Sequence, residues 1–298
     1  MRQSGKPGEF TTDRVDDERL ALKINGEIDE YRPQYSDFAE IYTIEEMRAD
    51  RQEVFDYQEK KHIVPEEERR KLKDGILVEK IIFDTDMNDL LGEEVDEMYD
   101  TSQTGEGDHL LKVIPAHTYD DYFNNVDMIC AVTNEFTDHE TVPFAVDCTS
   151  NSAKVHEKMG YRRTKEHIPG FTDVKYFKDT TGVGASTLET GSLEKVPRFI
   201  VGIDAELARE IVEFDPREST PWQKEENDQR YDHVRYYMLQ ELRAQASGKD
   251  GRLERYFTGL LQNFIRSRGK TTVERYPRDP VCDSILSASQ GQKALEAA

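Results

Sequence analysis

Two aspartates stand at the ends of two predicted strands, where their carboxylates could hold a metal ion. Asp127 opens the β-like segment 126–133, and Asp147 closes the β-like segment 142–149. If these strands form an antiparallel hairpin, the start of the first lies beside the end of the second, so we expect the carboxylates to converge. Paired carboxylates, a backbone carbonyl and water form a typical site for Mg²⁺ or Mn²⁺. A cation held there would polarise a phosphate and activate water, which predicts phosphodiester hydrolysis.

A third acidic residue, Glu94, is predicted to point inward from a helix over residues 86–100. It lies on the apolar stripe of that helix, four residues after Leu90 and four before Met98. An acidic side chain on such a stripe is costly unless it meets water, a cationic partner or a metal ion. We therefore predict Glu94 as a further metal ligand, with a buried ion pair as the alternative.

The elements that would position these acids alternate between helical and β-like hydrophobic patterns. After the helix over 86–100, three β-like segments lead to a short helix that ends near Met159, and a fourth strand leads to a helix over 205–214. The β-like segments are 110–114, 126–133, 142–149 and 197–204, with a weaker one at 174–177. This order predicts an α/β fold of the mixed α+β kind.

The arrangement of acids and elements resembles the PD-(D/E)XK nuclease superfamily, whose core has the order αβββαβ. The likeness covers residues 86–214. It implies a restriction-endonuclease-like core, to which this chain adds N-terminal helices and a C-terminal helical hairpin. It also implies that Asp127 takes the role of the first acid, Asp147 that of the second and Glu94 that of the helix acid.

The lysine of the family motif is replaced in this sequence. Its position, two residues after Asp147, is occupied by Thr149, whose hydroxyl can orient water but carries no positive charge. In the superfamily the lysine sometimes migrates to the following helix, so Lys154 or Lys158 could reach back. The catalytic set predicted from the resemblance is Asp127, Asp147, Thr149 and Lys154. The loss of the motif lysine equally fits an inactive, structural or binding relative.

Charge is unevenly distributed along the 298 residues. The chain has 61 acidic and 40 basic residues and a formal net charge of −21, which argues against a broad, nonspecific nucleic-acid coat protein. Residues 37–108 hold 23 acidic and 9 basic residues, so most of the excess lies in about a quarter of the chain. Residues 154–166 and 252–278 are net basic. They could steer a phosphate backbone if they face the site, or pair with the acidic half of the chain.

The composition divides the chain into four parts. Residues 1–35 are predicted as a flexible N-terminal tail and residues 36–85 as an acidic helical region. Residues 86–215 form the predicted nuclease-like core. Residues 216–298 contain a predicted linker, two helices hinged at 247–249 and a mobile C-terminal tail.

Cysteine usage and hydropathy bear on the compartment. No apolar run approaches the ~20 residues that a membrane span needs, and the first ten residues lack the apolar segment of a secretory signal. The cysteines Cys130, Cys148 and Cys282 show no paired spacing, so neither a disulfide scaffold nor a structural zinc site is predicted. We expect a protein of the reducing cytoplasm.

Two functions remain open at this point. The first is a metal-dependent nuclease that uses Mg²⁺ or Mn²⁺ on a nucleic-acid substrate. The second is a non-catalytic structural or protein-interaction component, for example of a virus, that keeps the nuclease-like fold as a scaffold. It would contact a protein partner through the acidic helical region or the C-terminal helices. The three acids favour the first function, whereas the missing lysine and the net charge favour the second.

Overall fold

A computed structural model describes residues 28–61, 77–81, 110–160, 168–179, 188–214, 219–269 and 278–296. These residues form a mixed α/β fold with a five-stranded sheet, which confirms the predicted fold class. Besides a short helical segment at 28–31, the helices are α1 (Ile44–Lys61), α2 (77–81), α3 (Thr118–Asn124), α4 (Val155–Gly160), α5 (Ala205–Val212), α6 (Pro221–Ala246), α7 (Gly251–Arg268) and α8 (Pro280–Glu296). The strands are β1 (Leu110–Pro115), β2 (Met128–Thr133), β3 (Val142–Thr149), β4 (Phe171–Phe177) and β5 (Gly191–Gly202).

The sheet combines an antiparallel meander with one parallel pair. Its order is β1-β2-β3-β5-β4. Strand β2 runs antiparallel to both β1 and β3, whereas β3 pairs with β5 in parallel. Parallel pairing requires the chain to cross one face of the sheet, and α4 lies in this connection. Strand β4 directly precedes β5 and pairs with it antiparallel.

Alternation along β3 decides which face of the sheet carries the candidate chemistry. Phe144 and Val146 belong to the largest hydrophobic cluster, to which α6 and α7 also contribute. The intervening residues point to the opposite face because side chains alternate along a strand. Asp147 is one of them, and it pairs with Ile200 of β5. Ile200 packs against residues of α4 and α8, so Asp147 lies on the face that these two helices cover.

The C-terminal part of the chain contains more helix than the sequence pattern predicts. Helix α6 begins inside the predicted linker, because Thr220 accepts a hydrogen bond from the Gln223 N–H at 3.3 Å and completes a capping box. Helix α8 occupies the segment predicted as a mobile tail. Its residues Val281 and Ile285 are buried against Ile200. Tertiary packing therefore stabilises a helix whose small and polar composition gives a weak local signal.

The N-terminal boundary also differs from the prediction. Ile28 lies in the largest hydrophobic cluster and Arg32 is buried, so the last part of the predicted tail joins the fold. Helices α6 and α7 pack against each other as a hairpin. Within the described ranges, no helix has the length and apolar character needed to cross a membrane.

Candidate active site

Asp127 and Asp147 lie side by side at one end of the β2–β3 hairpin. Met128 pairs with Val146; Asp127 directly precedes β2, and Asp147 follows Val146 in β3. The backbone N–H of Asp127 donates to the Val146 carbonyl at 2.9 Å. Its carboxylate Oδ2 accepts a hydrogen bond from the Cys148 N–H. Two like charges at cross-strand positions are unfavourable unless they are compensated, so the surroundings of each carboxylate decide its state.

Two cations compensate Asp147, which is only 1% exposed. Its Oδ1 accepts a hydrogen bond from the Lys158 ammonium of α4, and its Oδ2 accepts one from Arg198 Nη1 of β5 at 3.2 Å. The Lys158 ammonium also donates to the Cys148 carbonyl at 2.9 Å. Burial opposes the charged form of Lys158, but Asp147 and Asp127 outweigh this effect and raise the Lys158 pKa. Lys158 is therefore a cation at neutral pH.

Asp127 receives less compensation than Asp147. Burial, followed by the nearby carboxylates of Asp147 and Asp121, raises the pKa of Asp127 to about 7. The Lys158 ammonium and the Cys148 N–H oppose this rise without overcoming it. The Asp127 carboxyl is therefore close to half protonated at neutral pH. Such a carboxyl, in a partly exposed position, fits a role in proton transfer or metal binding.

Two further carboxylates lie around Arg32, close to the paired aspartates. Arg32 Nη2 lies 3.2 Å from Glu79 Oε1, and Nη1 lies 3.5 Å from Asp121 Oδ2. Arg32 also donates to the Ala116 carbonyl, and Ala116 is hydrogen-bonded through its N–H to the Asp127 carbonyl at 2.9 Å. Burial, followed by Asp127 and Asp121, raises the Glu79 pKa well above its ordinary value. Glu79 therefore interacts electrostatically with Asp127 of the candidate site.

The remaining residues predicted for the site have other positions. Glu94 lies outside the described residues. Thr149 is buried, and its hydroxyl accepts a hydrogen bond from the Asn151 N–H at 3.2 Å, which fixes the turn after β3. Lys154 is exposed ahead of α4, whereas Lys158 lies one helical turn further along the chain. The structure therefore brings Lys158, and not Lys154, to the paired aspartates.

Three charged residues of this region were not predicted from the sequence. Arg198 interrupts the apolar strand β5, and Glu79 lies between the buried Val78 and Ile81. A charge within an apolar run indicates a buried partner, so both residues carried a usable signal. Arg32 carried no such signal, because apart from the local Asp29 its partners Glu79 and Ala116 are 47 and 84 residues away in the sequence.

The oxygen donors of the site suit a hard cation but are partly engaged by lysine. Asp147 Oδ1 and the Cys148 carbonyl contact the Lys158 ammonium, and the Asp127 carboxylate interacts electrostatically with the same ammonium. Oxygen ligands of this kind suit Mg²⁺ or Mn²⁺. In the part of the chain that the structure describes, no group of three or more His, Cys, Asp or Glu side chains is arranged to hold a metal ion. The Lys158 ammonium contacts Asp147 Oδ1 and the Cys148 carbonyl. A divalent cation would therefore compete with Lys158 for these oxygens.

Relatives do not assist the assignment of this site. Comparisons with protein-family models, with curated proteins and with solved structures give no match. A fold by itself does not define a function, which has to be argued from the geometry and electrostatics of specific residues. The basis for a functional proposal is therefore the pair Asp127 and Asp147 together with the cations around it.

Proposed function

We propose that this protein hydrolyses phosphodiester bonds in a nucleic acid with the help of Mg²⁺ or Mn²⁺. The observation that supports this most directly is the adjacency of Asp127 and Asp147 at the hairpin end, with a lysine from the following helix on Asp147. In this proposal the two aspartates hold the cation. Lys158 takes the role that the sequence-based prediction assigned to Lys154.

The order of the elements supports the resemblance to the PD-(D/E)XK superfamily. Three antiparallel strands, a helix and a strand parallel to the third occur in the αβββαβ order, with α3 added between β1 and β2 and β4 added between α4 and β5. Helix α2 precedes β1 and carries Glu79, whose pKa is raised in part by Asp127. Glu79 is therefore a second candidate for the helix acid, beside Glu94.

The charges of the site suggest what each side chain would do. A bound divalent cation supplies Lewis acidity, which polarises a phosphate and makes water more acidic. Asp147 offers Oδ1 while Arg198 holds Oδ2. The Lys158 ammonium, once displaced from Asp147, would stabilise negative charge that develops on the phosphate. Asp127, with a pKa of about 7, would bind a cation more strongly as the pH rises through neutrality, because the metal requires the ionised form.

Attraction of an anionic substrate needs positive charge close to the site. The basic residues at the start of α7 are engaged elsewhere: Arg252 lies 2.8 Å from Glu140 and Arg255 lies 3.7 Å from Asp138. These acids belong to the connection between β2 and β3, at the opposite end of the hairpin from the paired aspartates. The region around α4, which carries Lys158, is therefore the better candidate for the path of the phosphate backbone.

A second function, a non-catalytic scaffold, is favoured by the position of Lys158. Its ammonium already contacts Asp147 and the Cys148 carbonyl, where a metal ion would bind. In such a protein the buried ion pairs would hold α4 against the sheet without a metal. Protein contacts would then use the acidic helix α1, which exposes Ile44 and Phe55 at 58% and 55%.

Metal binding and cleavage by matched variants separate the two functions. We would measure Mn²⁺ binding by calorimetry and cleavage of labelled single-stranded and double-stranded DNA and RNA. The variants are Asp147→Asn and Lys158→Met, with Asp138→Asn as the control because that aspartate is 76% exposed at the other end of the hairpin. If the protein is a nuclease, Asp147→Asn should lower cleavage by about 100-fold or more. Lys158→Met should bind Mn²⁺ yet cleave poorly.

The scaffold function predicts a different pattern. The wild-type protein would neither bind Mn²⁺ nor cleave, and Lys158→Met would gain Mn²⁺ binding because two oxygens lose their cationic partner. That pattern would contradict the nuclease proposal. Loss of cleavage in Lys154→Met with cleavage retained in Lys158→Met would instead return the lysine role to Lys154.

The state of the cysteines supports a proposal about compartment. Cys130, Cys148 and Cys282 are free and buried. Burial raises the pKa of the Cys130 and Cys148 thiols, so they remain unreactive. We propose that the chain works in a reducing compartment such as the cytoplasm. Thiol titration of the denatured protein, isolated from cells with a thiol-blocking reagent present, should then find every cysteine reduced.

A further inference from the structure

Arg198 is a deeply buried cation in the sheet. It is 2% exposed and lies in β5 among apolar residues, where a charge is costly unless its donors are satisfied. Its Nη1 donates to Asp147 Oδ2 at 3.2 Å, and its Nη2 donates to the backbone carbonyl of Lys158. One side chain therefore connects β5 both to β3 and to the last turn of α4.

These two contacts fix the relation between Asp147 and Lys158. Because Arg198 holds Oδ2 of the carboxylate, Oδ1 is left facing the Lys158 ammonium. Because Arg198 also holds the Lys158 carbonyl, the end of α4 stays close to the strand. The backbone of Arg198 is itself anchored: its N–H donates to the Gly170 carbonyl at 2.8 Å, and its carbonyl accepts from the Lys249 ammonium at 2.7 Å.

We propose that Arg198 is a positioning residue of the candidate active site, which orients the Asp147 carboxylate and the Lys158 ammonium relative to each other. The inference rests on the proposed nuclease function. Arginine suits this task because its planar guanidinium satisfies two acceptors in a fixed geometry, whereas the point charge of a lysine does not reproduce that fork. Loss of a contact that orients a metal ligand typically costs about 10- to 100-fold in metal affinity or activity.

The first test compares the activity of Arg198→Gln and Arg198→Lys. We expect Arg198→Gln to lower Mn²⁺ affinity and kcat by about 10- to 100-fold, with a small change in KM for the nucleic acid. Arg198→Lys should recover part of the loss. Arg255→Gln is the matched control, because Arg255 is an exposed arginine that pairs with Asp138 at the opposite end of the hairpin from the paired aspartates. It should behave as the wild type does.

A second readout is independent of cleavage. The rate at which a water-soluble ester acetylates Lys158, followed by mass spectrometry at alkaline pH, reports how firmly Asp147 holds the ammonium. Without Arg198 the carboxylate and the last turn of α4 lose their fixed positions, so the Lys158 side chain opens to the reagent more often. We expect the acetylation rate to rise at least about 3-fold in Arg198→Gln. Arg198→Lys should show a smaller rise, and it provides the test if the Gln variant does not fold.

The outcomes distinguish this inference from the proposed function. If the wild-type protein neither binds Mn²⁺ nor cleaves, the nuclease proposal fails, and Lys158 acetylation alone decides whether Arg198 positions that side chain. If folded Arg198 variants match the wild type in cleavage and in Lys158 acetylation, the positioning role is overturned while the nuclease proposal stands.

Discussion

Replacement of Asp127 by Asn measures how much the ionised Asp127 carboxylate lowers the free energy of unfolding. The Asp127 pKa is raised from 3.8 to about 7, so the folded state retains a proton that the unfolded chain releases at lower pH. Between these values the unfolded state binds fewer protons, and the free energy of unfolding therefore falls as pH rises. At about 1.36 kcal/mol per pH unit, ionisation of Asp127 in the folded state costs about 4 kcal/mol.

Asn retains the shape of Asp and removes its charge. Its carbonyl oxygen can still accept the hydrogen bond that the Cys148 N–H donates to Asp127. The other groups are present in both proteins, so the difference between variant and wild type reports this carboxyl together with its electrostatic coupling to Glu79 and Lys158. We expect Asp127→Asn to be more stable, with an advantage that grows by about 2 kcal/mol between about pH 5.5 and about pH 8.5.

Urea denaturation followed by far-UV circular dichroism measures this difference. Fluorescence is less informative because Trp222 is 68% exposed. The pH range stays above the isoelectric point of about 4.8, near which association is favoured. Asp138→Asn, an exposed substitution at the other end of the hairpin, is the control and should change stability little. The reasoning is refuted if the Asp127→Asn difference does not vary with pH, or if that variant is the less stable protein at the alkaline end.

Two further predictions concern the packing of α6 and α8 against β5. Glu241 is fully buried with Oε2 3.1 Å from the Gly202 N, and burial raises its pKa well above the ordinary value. Glu241→Gln should therefore raise the free energy of unfolding at neutral pH, and urea titrations should show this gain disappearing in acid, where the wild-type carboxyl is protonated. Gly202→Ala should lower stability by about 1–3 kcal/mol in thermal unfolding, because the added Cβ would lie 2.3 Å from Val281 Cγ1. Gly160→Ala, which meets nothing within 4 Å, is the matched control and should change stability much less.

The sheet could be predicted where local sequence pattern and tertiary position agree. The segment 142–149 was predicted as a strand and forms β3 with the same bounds, because its apolar residues fill both faces of the sheet. Strand β5 extends further towards the N-terminus than predicted. Its first part is polar, carries partly exposed residues and pairs with β4. This pairing, which no local pattern reveals, determines the strand there.

The sequence predicts the residues of the site that lie at strand ends, but not those whose position depends on a helix boundary or on the order of the strands. The adjacency of Asp127 and Asp147 follows from antiparallel pairing and strand length. The choice of Lys158 over Lys154 depends on where a six-residue helix begins, and sequence patterns do not define helix ends to within one residue. Arg198 shows the same limit, because its role depends on a parallel crossover that brings β5 beside β3.

The electrostatics of the two aspartates also bear on the choice between nuclease and scaffold. Asp147 is matched by Lys158 and Arg198, so a scaffold could use it as a buried ion pair. Asp127 is not matched in this way, and a scaffold would gain stability from Asn, which makes the same hydrogen bond without the charge. A metal centre needs the carboxylate, because a divalent cation binds the charged oxygen and offsets the repulsion between the aspartates. Stabilisation by Asp127→Asn together with loss of Mn²⁺ binding is therefore the outcome that the nuclease proposal requires and the scaffold does not.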